Sequence, residues 1–205
     1  MPSILRFLDD GTAELRRAFA RMPDIERLLA GDHPLPEYRR LLERLRRGFA
    51  AIELYAFDDL SETQQQAVGR HRSTWRLSHD IGILGGPAPM PSRLEDLENA
   101  GDLASPSAKL GAQFALAGIL ETLAAAHRPL RRRLGAKTLS CLLFNASGDP
   151  GFRRVRAAVG ELIEGMGPEL DWAEALAGAR RAPRTVRHGL MEAPGANPTV
   201  TDLPS

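Results

Sequence analysis

The sequence predicts an all-α fold. Apolar residues recur at intervals of three and four along most of the chain, and no segment alternates apolar and polar residues as a half-buried strand does. Clusters of proline and glycine interrupt this pattern at helix-length intervals. The first helix is expected after Asp9, Asp10 and Thr12, which suit an N-cap, with Leu15, Ala18, Phe19, Met22, Ile25, Leu28 and Leu29 on one stripe. Pro23 falls inside that stripe and should kink or end it. A loop from Gly31 to Pro34 leads to a second helix near Pro36, whose apolar stripe is Tyr38, Leu41, Leu42, Leu45, Phe49, Ile52 and Leu54. Ser61 to Thr63 opens a third helix that runs to about Leu84, where Gly85-Gly-Pro-Ala-Pro-Met-Pro stops it. Leu94 to Asn99 is a candidate short helix. A long fourth helix carries Leu110, Phe114, Leu116, Ile119, Leu120 and Leu123 from Ser107 towards Leu134, with Gly135 as its C-cap. Leu139 to Phe144 is an apolar run of either type, and Asn145 to Gly151 reads as a turn. Two more helices are expected over about Phe152 to Met166 and Glu169 to Ala182. Residues 1–187 then form one helical domain, and 188–205 a flexible tail rich in Pro, Gly, Asn and Ser.

Composition narrows the function. At 205 residues the chain suits a single domain. It is 43% hydrophobic and 26% charged, as expected of a soluble globular protein. Its net charge of +1 gives no basic surplus of the kind a nucleic-acid surface needs. Only Lys109 and Lys137 are lysines; every other basic residue is arginine. The lone Cys141 excludes an internal disulfide framework and reads as a small core residue. No apolar stretch approaches a membrane span, and the N-terminus lacks a signal-peptide pattern. A cytoplasmic location is the expectation.

The motifs that mark common enzymes are missing: no glycine-rich phosphate loop, His-Glu-x-x-His, Cys-x-x-Cys or nucleophile elbow. His71, Trp75 and His79 share one helix face with Asp80 beside them. Two histidines four apart suit a divalent metal, but without a third ligand a half-exposed surface is the better reading. Arg128, Arg131, Arg132 and Arg133 crowd a helix C-terminus, where cations complement the dipole. Arg128 and Arg132, with Arg180, are also candidates for binding a carboxylate.

The order of segments carries a resemblance. Leu15-Arg16-x-Ala18 followed by Pro34-Leu35-x-x-Tyr38-x-x-Leu41-Leu42 resembles the opening of the bacterial heme oxygenases that accompany bacteriophytochromes. Arg72-x-x-Trp75-x-Leu77-x-x-Asp80-Ile81-x-x-Leu84-Gly85 is similar to that family's third helix. Leu110-Gly111-Ala112-x-Phe114-x-Leu116-x-Gly118 is similar to its distal helix, Arg131-Arg132-Arg133-Leu134-Gly135 sits where that helix ends, and Ala179-Arg180-Arg181-Ala182 is similar to its last core helix.

The resemblance implies a heme-oxygenase-like bundle in which heme lies between the first and distal helices, bound through a first-helix histidine. Here the histidine position falls on Met22 or Pro23. The distal stretch, glycine-rich in the family, reads Ala117-Gly118-Ile119-Leu120-Glu121-Thr122-Leu123, with only Gly118 retained. Pro183 replaces the aromatic that follows the last Arg-Ala and is expected to end that helix early. The family pocket therefore maps onto Phe19, Met22, Pro23, Phe114, Gly118, Thr122 and Leu123. Thr122 and Leu123 are expected to fill it from the distal side.

The expectation is a protein without heme-degrading chemistry and with no cofactor. It would act in signalling or regulation by binding a protein partner or a small apolar ligand, with a homodimer left open and no nucleic acid or membrane involved. The alternative is a heme-binding protein, or an active heme oxygenase, using His33 or Met22 as a replacement axial ligand. A third reading, non-heme metal chemistry, would draw on Glu26, Glu53, His71, His79 and Glu121, which do not make a persuasive set.

Overall fold

The computed structural model describes residues 3–57, 73–86, 103–134 and 151–191. Among them are eight α-helices and no strand: α1 (Ile4–Ala20), α2 (Pro23–Ala30), α3 (Leu35–Ala56), α4 (Ser73–Ile83), α5 (Pro106–Ala124), α6 (His127–Leu134), α7 (Gly151–Gly165) and α8 (Trp172–Met191). The class is all-α, as the periodicity predicts.

Helix α5 is the central core helix. It buries Leu110, Phe114, Leu116, Ile119, Leu120 and Leu123 on all sides, and a helix apolar all round belongs inside. Its most intimate neighbour is α8, which also packs on α3 and α1. Small residues permit this. Ala108, Gly111, Ala112 and Ala115 of α5 lie at helical spacing, as do Ala175, Gly178, Ala179 and Ala182 of α8. A Cβ on Gly111 would stand 2.7 Å from the carbonyl carbon of Ala175, and one on Gly178 the same distance from that of Ala108. The pattern repeats where α3 meets α8: a Cβ on Gly48 would lie 2.7 Å from Val186 Cα.

Polar side chains finish the helix ends. The Ser105 hydroxyl accepts from Ala108 N (3.1 Å) at the start of α5. Asp171 Oδ1 accepts from Ala173 N (2.8 Å) and Glu174 N (3.0 Å) at the start of α8. The α4 N-terminus is capped from another helix: Glu53 of α3 accepts from Ser73 N (2.7 Å), Thr74 N (3.1 Å) and the Thr74 hydroxyl (2.6 Å). Burial pushes the Glu53 carboxyl above its ordinary value, and the bonds from Thr74 and Ser73 pull it back.

Several boundaries differ from the sequence reading. The first helix begins at Ile4, capped by the Ser3 hydroxyl, which accepts from Arg6 N (3.3 Å). Thr12 lies inside it, its hydroxyl donating to Leu8 O (2.7 Å). The expected stripe to Leu29 divides at Arg21–Met22, with Pro23 at the first position of α2, where its missing N–H costs nothing. The expected helix from Ser107 to Leu134 divides into α5 and α6, bent by 44°. Pro183 does not end α8, which continues to Met191 with Thr185, Val186, Gly189 and Leu190 buried. A mid-helix proline costs about 3 kcal/mol, and the packing of α8 against α3, α5 and α1 outweighs it. Helix α8 thus runs past residue 187. The expected features at 61–72, 94–99, 135–150 and 192–205, Cys141 among them, lie outside the described residues.

Candidate functional site

Helices α1 and α5 pack against one another, with α7 against both. A linked set of charges fills the place where they meet. A Cβ on Gly118 would stand 3.6 Å from Arg16 Cδ and Nη1, so the Arg16 side chain lies over the glycine. Arg16 donates to Asp9 Oδ1 (2.6 Å) and to the Asp9 carbonyl (3.0 Å). Arg156 of α7 donates to Glu121 Oε2 (2.8 Å) and also to Asp9 Oδ1. Its guanidinium sits 4.7 Å from the centre of the Phe114 ring, within cation–π range. Two guanidiniums and two carboxylates from three helices balance in charge. Arg16, Glu121 and Arg156 are less than a third exposed, so water screens the set only partly.

The other residues mapped by the resemblance differ in burial. Phe19 is buried in the core, and Met22 is half-buried at the α1–α2 junction with Pro23 exposed beside it. Thr122 is half-buried and turns its hydroxyl back along its own helix to Gly118 O (3.1 Å). Leu123 is fully buried. Helix α1 carries no histidine, and Arg16 and Arg156 cover Gly118 and Phe114.

His33 is buried in the α2–α3 loop, with Nε2 2.9 Å from the Asp24 carbonyl. A carbonyl accepts, so Nε2 carries the proton. Nδ1 lies 3.9 Å from Glu37, whose carboxylate also takes the Arg27 guanidinium at 2.7 Å. Asp24 is held in turn by Arg44, which donates to Asp24 Oδ2 (2.7 Å) and to Leu190 O (3.0 Å). His33 therefore ties the loop to α2, and ligating a metal through Nε2 would break that bond.

Among the described residues no three His, Cys, Asp or Glu side chains converge as a metal site. Glu53 caps α4, Glu121 binds Arg156, and Glu26 is exposed. Trp75 is 67% exposed and its ring stands 5.9 Å from that of the exposed His79, while Asp80 on the same helix is buried. Asp80 adds to the burial that pushes the Tyr38 phenol well above its ordinary value. His71 lies outside the described residues.

The three candidate carboxylate-binding arginines do not converge. Arg180 donates to Gly11 O (3.1 Å) across the α1–α8 contact. Arg128 and Arg132 instead line an open cleft of about 380 Å³ on α6, together with His127 and Arg131. Burial pushes His127 below the usual imidazole value, and Arg131 and Arg128 push it the same way.

The sequence reading missed Asp9, Arg16 and Arg156 as site residues. A usable signal was present. Arg156 shares a face with the buried Val159 and Ile163, and a charge on an apolar stripe calls for a partner. Asp9 and Arg16, seven apart, share a face of α1. Comparison with protein-family models, curated proteins and solved structures finds no match for this chain.

Proposed function

We propose that this chain is a heme-oxygenase-like helical domain that acts by binding a protein partner or a non-heme ligand in a signalling or regulatory role in the cytoplasm, and does not degrade heme. One observation carries the reading: Arg16 lies over Gly118, the position at which the family it resembles keeps its distal helix open, and is locked there through Asp9, Arg156 and Glu121. Opening that gap for a macrocycle would move Arg16 off Gly118 and break the Asp9–Arg156 bond that ties α1 to the rest of the set. A charge-assisted bond contributes about 1.5–3 kcal/mol, which heme binding would have to offset before gaining any affinity. The family's iron-binding histidine has no counterpart on α1.

Hemin titration followed by absorption spectroscopy tests this. The parent, His33→Ala and Met22→Ala proteins should give the same weak, non-saturating spectra. A saturable one-to-one Soret shift in the parent, abolished in either variant, would overturn the proposal.

A further inference from the structure

The cleft on α6 is separate from the α1–α5 interface, and its chemistry is of one kind. His127, Arg128, Arg131 and Arg132 fall at i, i+1, i+4 and i+5, which gathers them within about 140° of the helix circumference. The three arginines are exposed and His127 is buried at their base. Among the described residues no carboxylate pairs with Arg128, Arg131 or Arg132. Arg133 belongs to the opposite side, where it reaches Asp32 at 3.8 Å.

The helix that carries them is firmly seated. Ala126 and Leu130 are fully buried. Gly31, at the α2 C-cap with φ of 73°, lies so close that a Cβ there would stand 2.6 Å from the Pro129 carbonyl carbon. Only glycine combines that backbone conformation with that approach. The arginine stems therefore rise from a fixed base.

We propose that this cleft binds a small phosphate-bearing anion through Arg128, Arg131 and Arg132. About 380 Å³ suits a compact organic phosphate and is at the small end for ligand sites generally. A carboxylate presents two in-plane oxygens and satisfies one guanidinium fork. A phosphate presents oxygens in tetrahedral directions, so several forks approaching from one helix face can bind it together. An anion here would also relieve the mutual repulsion of the arginines and favour the protonated form of His127.

Calorimetric titration with pyrophosphate at constant ionic strength tests the site. Saturable binding of one anion per chain is expected, weakened by about tenfold or more in the double variant Arg131→Ala/Arg132→Ala. Both residues are exposed, so the variant should keep the parent's circular dichroism and melting temperature. Arg133→Ala should bind like the parent. Citrate should bind about tenfold more weakly than pyrophosphate, and vesicles of phosphatidylcholine and phosphatidic acid should not retain the protein. Binding that is non-saturable, or that survives in the double variant, or that falls equally in Arg133→Ala, overturns the site. Citrate binding as tight as pyrophosphate overturns the phosphate assignment, and vesicle retention that pyrophosphate fails to compete away overturns the assignment to a soluble anion.

Discussion

Replacing Gly178 with alanine places a methyl group where α8 meets the α5 backbone, 2.7 Å from the Ala108 carbonyl carbon. That neighbour is main chain and cannot rotate aside. The two helices must separate, and overpacking against main chain costs about 2–3 kcal/mol, the upper part of the usual range. Better helix propensity returns about 0.8–1 kcal/mol, leaving a net loss of roughly 1–2 kcal/mol. For a chain of this size each 1 kcal/mol shifts Tm by about 2–4 °C, so Gly178→Ala should melt about 2–8 °C below the parent. Gly111→Ala crowds the same contact, and the double variant should lose less than the sum, because the first separation makes room for the second methyl. Gly82 of α4 is the control: a Cβ there meets nothing within 4 Å, so Gly82→Ala should gain about 0.5–1 kcal/mol. Calorimetry and urea unfolding would report all four proteins. A Gly178→Ala variant as stable as the parent, alongside a stabilised Gly82→Ala, would refute the close α5–α8 approach.

Two neighbours on α5 should differ sharply: Leu123→Ala should cost about 2–5 kcal/mol as a cavity variant, whereas Thr122→Ala, which loses one bond to its own helix, should stay within about 1 kcal/mol in urea titrations. Arg156→Met leaves Glu121 without a guanidinium and Asp9 with Arg16 alone, and should destabilise by about 1–3 kcal/mol, with a non-additive cycle against Glu121→Gln. Glu53 sets a pH signature. Its folded carboxyl titrates above the ordinary value, chiefly through burial, so its contribution is full below the unfolded carboxyl value and declines as pH rises through the folded one. The stability of the parent relative to Glu53→Gln should therefore shrink with rising pH across that window, as measured by urea midpoints.

Helix class and most helix positions were legible because the apolar spacing of three and four survives in α3, α5 and α7. Boundaries were harder. The α1 start depends on Ser3, which follows only two residues, while Asp9, Asp10 and Thr12 offered equally good local caps further in. The bend after Ala124 is signalled only by Pro129, five residues on, whose ring excludes a hydrogen bond to Ala125 O and which sits in the first turn of α6. Pro183 misled because its local cost is real and only tertiary packing, invisible in one sequence, outweighs it. The glycines carried the deepest ambiguity. Gly111 and Gly178 mark a close approach of backbone to backbone, and sequence says that something must come near without saying whether it is a helix or a ligand. The charge network was hidden for a related reason: Asp9 and Arg156 lie 147 positions apart, and only the fold brings them together.

Turnover of hemin is the most direct test of the central claim. Incubated with hemin, oxygen and a reductant, the protein should yield no more biliverdin than a protein-free control, because Arg16 and Arg156 close the α1–α5 gap and α1 offers no histidine to iron. Regiospecific biliverdin above that control would contradict the account.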